Sequence, residues 1–241
     1  MLLAFICLAL GGLLKGATGA GAPLVAVPAL AMLVDVPFAV AVMVVPGILT
    51  NLGQAWVYRA HRLPWAFFAT FTVAGSLGML FGSYALASLD QDLLSLIMAL
   101  AVFAYIGFRL LKPDWIVSYA AGLRLSLPLG MASGMLQGAA GMSAPTAVTF
   151  LNAMRLERPV FIATISSYFF VVTVVQLPTL GYLGIMTQDR FLASAAAIVP
   201  LLAFMPVGAW LARRFSRTFF DRFILALLAV VGTKLMVDSL L

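Results

Sequence analysis

The sequence predicts an all-α integral membrane fold built as two inverted repeats, each a re-entrant or broken helical hairpin followed by three transmembrane helices. Three observations carry that prediction. Apolar residues make up 64% of the chain and charged residues only 9%, against roughly a quarter charged in soluble domains, so lipid must solvate much of the surface. Long apolar runs separated by short charged loops recur from end to end, as spanning helices of about 20 residues require. The second half also repeats the first at a fixed offset.

The helical element follows from the solvent. In hydrocarbon, backbone polar groups must find partners within their own segment, and the apolar–polar alternation of a membrane barrel is absent from the sequence. The net charge of +6 would suggest nucleic acid in a soluble protein. Here the basic residues sit in loops beside apolar runs, where they set topology and meet lipid headgroups; membrane lipid is an expected partner and nucleic acid is not. Cys7 and His61 are the single cysteine and histidine, so no disulfide, metal site or cofactor is expected. No carboxylate falls near the middle of a span and no zinc-protease signature occurs, so no catalytic residues are assigned and the chain does not read as an enzyme. Met1 to Leu14, followed by Ala20-Gly21-Ala22, imitates a signal peptide. No basic residue precedes the apolar stretch, however, and the same small-residue pattern recurs deep in the chain, so the segment is expected to be retained.

The repeat is defined by an offset of 122. Gly16-Ala17-Thr18-Gly19-Ala20-Gly21-Ala22-Pro23 falls on Gly138-Ala139-Ala140-Gly141-Met142-Ser143-Ala144-Pro145. Under the same shift Gly12 meets Gly134, Asp35 meets Glu157, Pro37 meets Pro159 and Gln54 meets Gln176. Gly82 meets Gly208 only after a four-residue insertion. The units expected are residues 1–112 and 123–241.

Each unit opens on an unusual segment. Residues 2 to 34, broken only by Lys15, would run about 50 Å as one helix, well beyond a hydrocarbon core of about 30 Å. Glycines and a proline cluster in its middle, where helix propensity is worst. Two short helices around an unwound glycine turn are therefore expected, with Pro23 and Pro145 at the first position of the second short helix. The three spans that follow are placed at 37–58, 65–88 and 92–111, then at 159–182, 191–212 and 223–240.

Charge decides whether the broken segment crosses. If it is re-entrant, Arg59, Arg62, Arg109, Lys112, Arg124, Arg155, Arg158, Arg213, Arg214, Arg217 and Arg222 all fall on the cytoplasmic side, and Arg190 alone falls outside. If it crosses fully, the same residues divide evenly. The positive-inside rule selects the first arrangement, which inverts the two units and places any substrate near the midplane between them.

The residues then suggest an anion site. A helix start offers unpaired N–H groups and a partial positive charge, and glycine lets backbone approach a ligand closely. The candidate substrate-binding residues are Lys15, Gly16, Thr18, Gly19 and Gly21 in the first hairpin, with Gln137, Gly138, Gly141 and Ser143 in the second. Asn51 and Gln54, three apart on one helix face, and their offset partners Thr173 and Gln176 complete the set. Lys15 is the one charge placed near the membrane centre, where charges usually serve function, and Gln137 is its partner by repeat. Alternatives stay open: small residues also pack helices and amides also join them, and a shallow lysine can snorkel.

Lys15-Gly16-Ala17-Thr18-Gly19-Ala20-Gly21-Ala22-Pro23, its second copy, and the helix bearing Asn51 and Gln54 resemble the sulfite exporter TauE/SafE family over essentially the whole chain. The resemblance implies a multi-pass transporter of the bacterial cell inner membrane that exports small sulfur-containing oxyanions such as sulfite or organosulfonates. An anion channel, or an importer of thiosulfate or sulfonate, is the alternative. The oligomeric state is left open.

Overall fold

The computed structural model describes residues 2–111, 115–214 and 217–240, the last stretch with side chains from 222 to 239. Lys112 and the side chain of Arg217, both counted in the charge partition, lie outside the described residues. All regular secondary structure among the described residues is helical: α1 (Leu2–Thr18), α2 (Ala22–Ala31), α3 (Val36–Val57), a 3₁₀ turn (Arg59–His61), α4 (Trp65–Ser88), α5 (Gln91–Leu111), α6 (Tyr119–Ala140), α7 (Ala144–Ala153), α8 (Arg158–Tyr182), α9 (Gln188–Arg214) and α10 (Arg217–Leu240). Five of these, α3, α4, α5, α8 and α9, are long and apolar enough to cross a membrane. The sixth expected span, 223–240, lies within α10, which is not among the five.

The opening segment of each half is two helices rather than one. α1 ends where Gly19 turns left-handed at φ 81°, its N–H donating to the Lys15 carbonyl at 2.8 Å. α6 ends the same way: Gly141 has φ 63° and donates to the Gln137 carbonyl at 2.9 Å. Both are left-handed helix caps that only glycine adopts without strain. Pro23 and Pro145 each occupy the second residue of the following helix, one position later than expected, where the absent N–H is still no loss. α6 begins at Tyr119, four residues before the expected start of the second unit.

The helix bounds track the sequence offset. Adding 122 to 22 and 31 gives 144 and 153, the bounds of α7; adding it to 36 gives 158, the start of α8. Past the four-residue insertion, adding 126 to 91 gives 217, the start of α10. Packing follows the same exchange: α1 lies on α9 while α4 lies on α6, and α3 packs on α8 as α5 packs on α10. Glycine permits the two tightest crossings. A Cβ at Gly12 or Gly16 would strike the backbone of Leu201 or Met205 in α9, and one at Gly134 or Gly138 would strike the backbone of Gly75 or Met79 in α4. From the facing helices, Gly208 lies against Leu13, and Gly78 and Gly82 lie against Met131 and Met135. Small residues at such crossings bring backbones into van der Waals contact, the main attraction available between helices in lipid.

α3 and α9 begin side by side and pack together. At their starts, the Arg190 guanidinium lies 3.7 Å from the Asp35 carboxylate. Asp35 also accepts the Phe38 N–H as the α3 N-cap. Further along, Pro46 has no N–H to offer the Val42 carbonyl. Ser194 of α9 supplies the missing donor at 2.9 Å and accepts the Val45 N–H at 3.1 Å. The proline in α3 thus stitches the two helices together beside Met43, at the edge of the cavity described below.

Candidate functional site

A small internal cavity lies where α1, α2, α3, α6, α7, α8 and α9 converge. Ala22 and Ala144, the first residues of α2 and α7, both line it. Two helix N-termini therefore meet one space, each bringing partial positive charge. The polar wall comes from Lys15, Thr50, Asn51, Gln137, Ser143 and Thr173, and the apolar wall from Met43, Phe169 and Leu201. Its volume is about 20 Å³, room for a single water.

Lys15 is 2% exposed. Its Nζ donates to Asn51 Oδ1 at 2.6 Å, so a residue of α1 and one of α3 hold each other at the cavity edge. The side chain does not reach toward an interface, as a snorkelling lysine would. An ammonium has three donors, and Asn51 takes one. Lys15 is the only charged side chain among the described residues lining the cavity. No cluster of histidine, cysteine or carboxylate able to hold a metal occurs among the described residues.

Gln137 sits at the same place in the second hairpin and is engaged differently. Its Oε1 accepts the Ser143 N–H at 3.2 Å and the Ser143 hydroxyl at 2.9 Å, so the amide caps the start of α7. Its Nε2 donates to Gln176 Oε1 at 3.0 Å, and Gln176 Nε2 returns a bond to the Gln137 carbonyl at 3.1 Å. The Ser133 hydroxyl donates to the Ser143 carbonyl at 3.2 Å. The second glycine turn is thereby clamped by side chains. In the first, the Thr18 hydroxyl bonds locally to the Leu14 and Ala20 carbonyls, and Gly21, at φ 94°, starts α2 without a side-chain cap.

The structure gathers Lys15, Asn51, Gln137, Ser143 and Thr173 around the cavity. Gln176 stands behind it, fully buried, in contact with Gln137. Gln54 is elsewhere: its Oε1 accepts the Ser166 hydroxyl of α8 at 3.2 Å, outside the lining. Gly16 and Gly138 occupy the helix crossings, Thr18 is exposed, and Gly19, Gly21 and Gly141 shape the turns without lining the space. Thr50, Met43, Gly47, Phe169 and Leu201 line the cavity and were not picked out from the sequence. The one signal for them was helical spacing, since Met43, Gly47, Thr50 and Asn51 recur at three- and four-residue steps along α3. The Thr50 and Thr173 hydroxyls donate back to Pro46 and Phe169 carbonyls, each at 2.6 Å, leaving oxygen lone pairs free for the cavity.

The ammonium, the Asn51 amide and the helix starts are anion-binding chemistry, whereas the Thr50, Ser143 and Thr173 hydroxyl hydrogens are already given to protein acceptors. Fold and site together define a multi-pass membrane protein with a buried polar cavity. The model of the sulfite exporter TauE/SafE family matches residues 3–235, and the chain belongs to that family. Its members are membrane transporters of sulfur anions rather than enzymes. No curated protein and no solved structure gave a match.

Proposed function

We propose that this chain exports a small sulfur oxyanion, sulfite or an organosulfonate, across the bacterial inner membrane, holding it in the cavity near the midplane between two inverted repeats. The observation that carries the reading is the pairing of the lining by the 122 offset. Lys15 and Gln137, Ala22 and Ala144, Gly47 and Phe169, and Asn51 and Thr173 are offset partners, and all eight line one cavity. A packing defect between unrelated helices has no reason to draw its walls in such pairs. Opposed helix starts between inverted repeats are a common transporter arrangement.

The cavity has space for about one water, less than an oxyanion of four or five heavy atoms needs, so its walls must move apart to admit one. An inside-negative potential drives an anion outward by about 2.3 kcal/mol per charge per 100 mV, which supports export. Purified protein in proteoliposomes should carry sulfite or short sulfonates with saturable flux and counter-exchange. Unsaturable flux would select the channel, and no flux of any sulfur oxyanion would sink the proposal.

A further inference from the structure

On the reading that the cavity holds the transported anion, we propose that the Lys15/Gln137 asymmetry sets the substrate's valence, making the site selective for singly charged oxyanions. The two hairpins offer offset-equivalent positions to one cavity, and only one of them carries a charge. Partial charges at the starts of α2 and α7 attract any anion, but each is balanced at the far end of its own helix and adds no net charge. The formal charge of the lining is therefore +1. A monoanion brings the closed cavity to neutrality. A dianion leaves one uncompensated negative charge inside hydrocarbon, at a cost of several kcal/mol.

The hydrogen bonds agree with the charge count. Lys15 holds a neutral amide oxygen, which a stronger acceptor can displace, and it has donors to spare. Gln137 is committed at both ends, to Ser143 and to Gln176. The second hairpin thus contributes a wall without formal charge, and the ammonium is the one full charge that answers the ligand. Loaded with a monoanion, the site crosses the membrane neutral; emptied, it returns with its positive charge. The potential then acts on the return step.

Methanesulfonate and sulfate separate the possibilities, since they are close in shape and differ by one charge. Calorimetry on the detergent-solubilised protein should show methanesulfonate binding at least about tenfold tighter than sulfate. Lys15→Gln should lose most methanesulfonate binding. Gln137→Lys, which gives the second hairpin its own ammonium, should bring sulfate level with or above methanesulfonate. Thr173→Lys adds the charge without touching the Gln137 bonds and should do the same if Gln137→Lys does not fold. Equal wild-type affinity for the two anions, or an order unmoved by a second lysine in a folded variant, overturns the inference while leaving the anion site intact. Binding of neither anion, together with no sulfite flux in proteoliposomes, removes the site reading itself.

Discussion

Two glutamines read alike from the sequence, and the structure gives them unequal work. Gln176 is fully buried and shares two hydrogen bonds with Gln137, which in turn caps α7. Gln54 is half-buried and accepts one bond from Ser166. Gln176→Ala should therefore cost about 1–3 kcal/mol of stability, because it leaves the buried Gln137 amide unpaired, and it should lower transport with it. Gln54→Ala should cost about 1 kcal/mol or less and leave substrate affinity unchanged. Thermal unfolding in detergent and proteoliposome flux check both. The offset of 122 identified which residues correspond. It could not say what each one touches, because that depends on what the facing helix presents, Ser166 to Gln54 and Gln137 to Gln176. Lys15, Asn51, Gln137, Ser143 and Thr173, which line the cavity, stood out as polar groups in apolar runs; Thr18 and Gln54 stood out in the same way and do not line it. Met43, Phe169 and Leu201 did not stand out, since apolar residues facing a cavity look the same in sequence as those facing lipid.

At the scale of the element, glycine does two different jobs in one motif. Gly19 and Gly141 end helices in a left-handed conformation, with side chains of Ile162, or of Val40 and Val27, little more than 3 Å from where a Cβ would stand. Gly16 and Gly138, three residues earlier in each copy, sit at crossings with α9 and α4. Valine at Gly19 or Gly141 should strain the cap and misplace the start of α2 or α7, abolishing transport in either half. Leucine at Gly16 or Gly138 should push whole helices apart, and the loss should appear first as poor yield and a lowered unfolding temperature, by overpacking of about 1–3 kcal/mol or more. Gly53, with open space around its Cβ direction, is the control: Gly53→Ala should be silent in both assays. The glycine-proline break itself was legible because a helix cannot run about 50 Å through a bilayer of about 30 Å. The crossings were not, since they depend on which distant helix comes to lie alongside.

For the whole molecule, the eleven-to-one division of basic residues rests on inverted topology. Reporter fusions after Leu63 and Glu157 should read cytoplasmic, and a fusion after Leu89 should read outside. A fusion after Asp114, in the segment joining the two halves, should read cytoplasmic like that after Glu157. Opposite sides for these last two would mean that the second broken segment crosses and the repeats are parallel. The all-helical membrane class and the broken opening segments could be read in advance because composition and bilayer thickness dictate them. The pairing of halves, α1 with α9 and α4 with α6, answers to neither.

That exchanged pairing bears on how the protein is made. α1 is made before the other described helices, and the backbone that covers Gly12 and Gly16 belongs to α9, residues 188–214. For most of synthesis the first hairpin must wait in the bilayer with its glycine face and its buried lysine against lipid, water or the insertion machinery. α4 waits less, because α6 follows it after a single intervening helix. Assembly therefore has an order written into the contacts: the α4–α6 crossing can close before α9 is made, and the α1–α9 crossing, on the helix carrying Lys15, only after it. A nascent chain stalled before residue 188 would hold every polar residue of the cavity wall and still lack the helix that closes it.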